Sequence, residues 1–115
     1  MQQSKKTITP FLQNHLETIR TYCRQYDVKK LYAFGSAITD RFNDKSDVDL
    51  IVAFKDVPFD KYADNYFELL EIFEKLFNRK VDLMTENSLS NPYFIKKLNQ
   101  TKTLIYDEGS VKGNA

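Results

Sequence analysis

At 115 residues the chain has room for one small domain, and with 42% hydrophobic residues, nine Phe and seven Tyr it can bury a core. Its 17 Lys and Arg nearly balance its 16 Asp and Glu, so composition gives no basic face of the kind that marks a general DNA or RNA binder. The single cysteine, Cys23, has no internal disulfide partner, no Cys/His cluster suggests zinc, and no apolar run approaches the roughly 20 residues of a membrane span or follows the N-terminus as a signal peptide would, so the expected location is the cytoplasm.

Residues 1–115 are expected to form one domain, with loose ends at 1–8 and 109–115. Thr9 as N-cap and Pro10 at the first helical position start a helix. Leu12, His15, Leu16, Ile19, Tyr22, Cys23 and Tyr26 continue it at spacings of three and four. On that stripe His15 and Cys23 read as packing residues. Leu31 to Phe34 reads as a buried strand that ends in a tight turn at Gly35. Residues 36–46 suit a short helix and then a loop. Val48 to Phe54 is the strongest strand, with Val48, Leu50, Val52 and Phe54 on one face and Asp49, Ile51 and Ala53 on the other.

After a break at Lys55–Pro58, a second amphipathic helix carries Tyr62, Tyr66, Leu69, Leu70, Phe73, Leu76 and Phe77 on its apolar side. Lys80 to Met84 is a short strand. Ser90-Asn91-Pro92 caps a helix through about Leu98, and Thr103 to Tyr106 is a last strand. Strands alternate with helices, which predicts a small α/β domain: a mixed sheet with helices packed on it, the strand order left open.

The chemistry gathers on three acids. Asp47 and Asp49 stand two apart at a strand start, which puts both carboxylates on one face. Two like charges about 4 Å apart cost about 4 kcal/mol at an effective dielectric near 20, so a fold that keeps them calls for a cation or a proton. Mg²⁺ serves, because it takes oxygen ligands and bridges carboxylates to phosphates. Asp82 is a lone acid inside a short apolar strand. If that strand lies beside the Val48 strand, a third carboxylate reaches the same place, where one or two divalent ions can bind. Asp82 could then also take the proton of an attacking hydroxyl. Gly35 lets the chain turn closely around a phosphate, and Ser36 adds amide and hydroxyl donors.

Taken together, Gly35-Ser36, ten residues, then Asp47-Val48-Asp49-Leu50 resembles the Gly-Ser…Asp-x-Asp signature of the DNA polymerase beta-like nucleotidyltransferases. The pattern is most similar to their smallest members, the minimal nucleotidyltransferases. The likeness runs on through Ile51-Val52, Val81-Asp82-Leu83-Met84-Thr85, Ser88-Leu89 and Leu104-Ile105-Tyr106. It implies a polymerase beta-like fold and Mg²⁺-dependent transfer of a nucleoside monophosphate, AMP from ATP in this group. Asp47, Asp49 and Asp82 would be metal ligands and catalytic acids, and Gly35 and Ser36 would hold the triphosphate. It further implies an antitoxin role, with a HEPN-domain toxin as partner and one of its tyrosines as acceptor.

One departure stands out. Relatives carry an arginine soon after Gly-Ser and a glycine close behind, where this chain reads Ala37-Ile38-Thr39-Asp40, with Arg41 displaced. Such an arginine would offset phosphate charge, so its absence predicts a weaker hold on nucleotide.

Other readings stay open at this point. Singly, Asp47 can be a turn cap and Asp82 a solvated strand acid. The fold can serve as a non-catalytic binding subunit, with Tyr62, Tyr93 and the N-terminal apolar stripe as contact surface. The acceptor can instead be a small-molecule or RNA hydroxyl, and self-association of the chain is left open.

Overall fold

The structure, a computed structural model, describes residues 9–35, 43 and 45–109. The expected loose ends, apart from Gly109, and most of the 36–46 segment lie outside these residues. The described elements run α1 Pro10–Gln13, α2 Leu16–Gln25, β1 Val28–Phe34, β2 Val48–Phe54, α3 Phe59–Phe77, β3 Val81–Thr85, a 3-10 turn Glu86–Ser88, α4 Pro92–Thr101 and β4 Thr103–Asp107.

Thr9 caps α1 as its sequence suggests, its hydroxyl accepting from the Leu12 amide at 3.3 Å with Pro10 next in line. The predicted single N-terminal helix is two pieces. The His15 amide turns back to the Leu12 carbonyl at 3.0 Å, which breaks the four-residue ladder. The His15 ring then wedges edge-on against Phe11 and Phe77, with centroids 5.3 and 5.5 Å away. Both pieces still bury one stripe: Leu12, Ile19 and Cys23 are sealed from solvent. Burial pushes the Cys23 thiol up to about 12, so it stays a neutral packing group.

Asp27 turns the chain from α2 into β1 with a positive φ of 60°. Its carbonyl accepts from the Lys55 amide at 2.8 Å. Its carboxylate accepts from the buried Asn65 amide at 2.9 Å and pairs with Lys61 at 3.3 Å. The Asn65 hydrogen bond first, and then Lys61, holds the Asp27 carboxyl below its usual range. A carboxylate lowered by folding adds stability above its unfolded pKa and loses it as pH falls through the lowered value. Asp27→Ala is therefore expected to cost about 1–3 kcal/mol near neutral pH, since it leaves Asn65 without its charged acceptor. In urea unfolding, the gap between variant and natural chain should narrow under acid. A gap that stays constant with pH would contradict this account of the corner.

The four strands form one sheet in the order β3-β2-β1-β4. β1 runs antiparallel to β2 and β4, and β2 runs parallel to β3. A parallel pair needs a long crossover, which α3 supplies. The α3 stripe of Leu69, Phe73 and Phe77 joins Leu12, Ile19 and Cys23 over Val48, Leu50, Val52 and Val81 to make the main core. On the opposite face Phe34, Ile51 and Leu98 form a smaller cluster with Tyr32, Met84 and Leu89, so α4 covers only part of it. Asn91 caps α4 by accepting from the Tyr93 and Phe94 amides at 2.9 and 3.2 Å.

Side chains close the outer strands. Tyr66 donates its hydroxyl to the Leu83 carbonyl at 2.6 Å, and the Glu74 carboxylate accepts from the Val81 amide at 3.3 Å. Across the sheet, Arg20 donates to the Ile105 carbonyl at 3.4 Å. Such contacts occupy edge groups that could otherwise recruit a strand from another chain.

Helix α3 stops at Asn78, which adopts the left-handed conformation (φ 54°) and returns its amide to the Glu74 carbonyl. Glycine takes this cap position with less strain than asparagine. Asn78→Gly is expected to raise stability by up to about 1 kcal/mol, read as a higher thermal midpoint; a lower one would contradict the cap assignment. No helix among the described residues is long and apolar enough to cross a membrane.

Candidate functional site

Where β1 gives way to its following loop, Phe34 lies opposite Asp49 of β2. The next residue, Gly35, has a φ of +65°. A Cβ built there would lie 2.5 Å from Oδ2 of Asp49 and 3.4 Å from its Cγ. The position therefore needs glycine twice, once for backbone conformation and once for space.

On the other side of β2, the parallel register sets Asp49 directly beside Asp82 of β3. Residues in register share a face, so the two acids project from the sheet together. The strand adjacency that the sequence left conditional is present. Asp47 lies just before β2, exposed, and the Val48 amide donates to the Lys80 carbonyl at 3.1 Å, which extends the pairing into both strand lead-ins.

Burial is the main reason the Asp49 carboxyl is raised above its usual range, with the charges of Asp82 and then Asp47 adding to it. Burial also raises the Tyr66 hydroxyl, with Asp82 next. The three acids thus share one field without enclosing a point: among the described residues no three His, Cys, Asp or Glu side chains converge into a ready ligand set. Such a donor set suits Mg²⁺, which binds through one or two carboxylates and completes its shell with phosphate oxygens and water. It offers only hard oxygen donors, without the thiolate or imidazole that favours zinc.

Ser36, with Ala37 to Arg41, lies outside the described residues. Tyr93 is 85% exposed, as a contact surface requires, whereas Tyr62 is half-buried, edge-on to Phe54 with centroids 5.0 Å apart. The expectation of an exposed Tyr62 is thus corrected: the start of α3 packs on the end of β2. Phe59, Phe67 and Phe94 are exposed aromatics too, and the first two lie on α3. With Tyr66, Leu83 and Met84, Phe59 and Phe67 line a cleft of about 330 Å³ beside the strand that carries Asp82. Phe59 falls on the apolar stripe of the helix, so its spacing reads as core, whereas Phe67 lies off that stripe and its size alone suggests burial.

Arg79 was also missed. Its Nη1 donates to the carbonyls of Asn43 and Ser46 at 2.8 and 2.9 Å, and its guanidinium lies over the Phe11 ring, 4.5 Å from the centroid. A basic residue ahead of an acid-bearing strand is a weak signal, because its partners are backbone groups far away in sequence.

Comparisons with known proteins agree with this architecture. The family described as "Polymerase beta, Nucleotidyltransferase" matches residues 17–110. A Methanocaldococcus jannaschii relative named "Putative protein adenylyltransferase MJ1379" is 33% identical over 99 residues, covering 86% of this chain and 93% of the relative. A solved minimal nucleotidyltransferase superposes with a TM-score of 0.68 at 23% identity, over 80% of this chain and 90% of its own. A complex of a tri-AMPylated Shewanella oneidensis HEPN toxin with an MNT antitoxin superposes with a TM-score of 0.58 at 17% identity, over 88% and 76%. A toxin–antitoxin structure with AMP-PNP gives a TM-score of 0.64 at 19% identity, over 80% and 73%. The mixed four-stranded sheet, the crossover through α3 and a family match over most of the chain lead to one assignment: this chain belongs to the polymerase beta nucleotidyltransferase family.

Proposed function

We propose that the chain is a Mg²⁺-dependent protein adenylyltransferase that acts as an antitoxin, moving AMP from ATP to a tyrosine of a HEPN-domain toxin. The observation that carries the reading is the side-by-side placement of Asp49 and Asp82, with Gly35 packed against the Asp49 carboxylate. The acceptor and partner follow the names of the similar proteins: a protein adenylyltransferase, an antitoxin beside a HEPN toxin, and a complex with an ATP analogue.

Asp47, Asp49 and Asp82 would hold one or two Mg²⁺, which when bound offset triphosphate charge and stabilise the attacking and leaving oxygens. The amide of Gly35 and the groups of Ser36 would steady the phosphates. The acceptor phenol oxygen forms a bond to the α-phosphorus as the bond to the bridging oxygen breaks and pyrophosphate leaves. Asp82, exposed beside Asp49, takes the phenol proton. The aromatic cleft at Phe59 and Phe67 borders the same strand and offers the partner an apolar seat.

Co-expression with a HEPN-domain protein tests this reading. Intact mass should show whole AMP additions on the partner with the natural chain and none with Asp49→Ala. Neutralisation by Asp49→Ala without any modification would instead establish the non-catalytic binding role.

A further inference from the structure

We propose that Arg79 is the positioning residue that fixes Asp47 at the metal site, an inference that rests on the transferase reading above. Asp47 belongs to no strand: the pairing that holds Asp49 and Asp82 reaches the Val48 amide, on the Lys80 carbonyl at 3.1 Å, and so fixes Asp47 from its C-terminal side alone. On its other side, its place depends on the segment before it. That segment is a tight turn: the Ser46 amide donates to the Asn43 carbonyl at 3.0 Å, the Asn43 amide to the Ser46 hydroxyl at 3.0 Å, and the Lys45 amide to the Asn43 side chain at 2.8 Å.

Those bonds keep the turn's shape but do not attach it to the body of the protein. Among the described residues, Arg79 supplies two bonds that do. Its Nη1 bridges the Asn43 and Ser46 carbonyls, the first and last residues of the turn, and the second of these immediately precedes Asp47. The guanidinium is seated in its turn on Phe11, whose ring packs against Phe77 at 5.5 Å. Arg79 itself follows the α3 cap and stands three residues before Asp82. One side chain therefore adds to the Val48–Lys80 backbone bond a second tie between the lead-ins of β2 and β3, placed on the N-terminal side of Asp47. A planar guanidinium that both stacks and donates fits this task, whereas a lysine ammonium reproduces only part of it.

The test uses the full chain with Arg79→Met and Arg79→Lys, and it measures Mn²⁺ binding by electron paramagnetic resonance with a non-hydrolysable ATP analogue present. Arg79→Met is expected to weaken Mn²⁺ binding by about 10- to 100-fold, the usual effect of removing a group that orients metal ligands, and Arg79→Lys by less. Amide exchange at Lys45 and Ser46 should quicken in Arg79→Met while exchange within β2 stays as in the natural chain. Coupling separates positioning from general support. Added to Asp47→Asn, Arg79→Met should bring little further loss, because the ligand it positions is already gone; added to Asp82→Asn it should bring its full loss.

Natural-level Mn²⁺ affinity in Arg79→Met, or equal losses in the Asp47→Asn and Asp82→Asn backgrounds, would overturn the assignment. Should Arg79→Met fail to fold, Arg79→Lys carries the same comparisons. A natural chain that binds Mn²⁺ and nucleotide in this Arg79-dependent way yet transfers nothing would refute the reaction and leave the positioning role standing.

Discussion

Asp49→Asn is expected to melt at a higher temperature than the natural chain while transferring nucleotide at least about 100-fold more slowly. The two effects share one cause. Burial, Asp82 and Asp47 raise the Asp49 carboxyl, so the folded chain binds that proton more tightly than the unfolded chain does. The ionised form then opposes folding, not at all below the ordinary carboxylate pKa and to its full extent above the raised one. At neutral pH the uncharged amide removes that opposition and, on the proposed function, removes a metal ligand with it. Mg²⁺ and nucleotide should reverse the stability order, since a ligand that binds only the folded natural chain stabilises only that chain. Thermal melts with and without the pair, beside a transfer assay, check both halves. A variant less stable than the natural chain in the absence of ligand would contradict the charge-crowding account.

Gly35→Ala is expected to come second in effect. A positive φ costs a non-glycine residue about 1–2 kcal/mol, so the melting temperature should drop by several degrees. The larger consequence is at Asp49, whose Oδ2 lies 2.5 Å from the position of the new methyl group. That carboxylate must swing away, on a side chain already hemmed in by Asp82. Displacement of a reacting constellation by about 1 Å can cost about 100-fold in rate, and that is the loss expected here. Gly109→Ala is the control: its added methyl would meet Asp107 at 3.4 Å, an ordinary contact, and transfer should be unchanged. Full activity in Gly35→Ala would show that the close approach to Asp49 has no part in the reaction.

Period-two alternation from Val48 to Phe54 was enough to put Asp49 on the face opposite the main core, because a sheet with one covered face leaves little freedom of register. Asp82 was legible as an acid in an apolar strand, but its place beside Asp49 depended on strand order, which local sequence does not encode. The break at Asn14–His15 was hidden because both pieces keep one continuous apolar stripe. β1 begins at Val28, earlier than the predicted Leu31, because Lys29 and Lys30 masked the alternation. Arg79 and the edge contacts of Tyr66 and Glu74 act through backbone groups of distant segments, and no spacing rule reveals them. Tyr62 sits at the first turn of an apolar stripe, where spacing alone does not distinguish a contact surface from packing; its ring rests on Phe54.

The central claim is most directly tested with ATP labelled in turn at the α- and γ-phosphates, offered with Mg²⁺ and a purified HEPN-domain partner. The account predicts that label from the α position, and none from the γ position, is retained on a tyrosine of the partner, and that Asp49→Asn slows its appearance at least about 100-fold. Label retained from the γ-phosphate, α-label that appears in Asp49→Asn as fast as with the natural chain, or no label with the natural chain would contradict it.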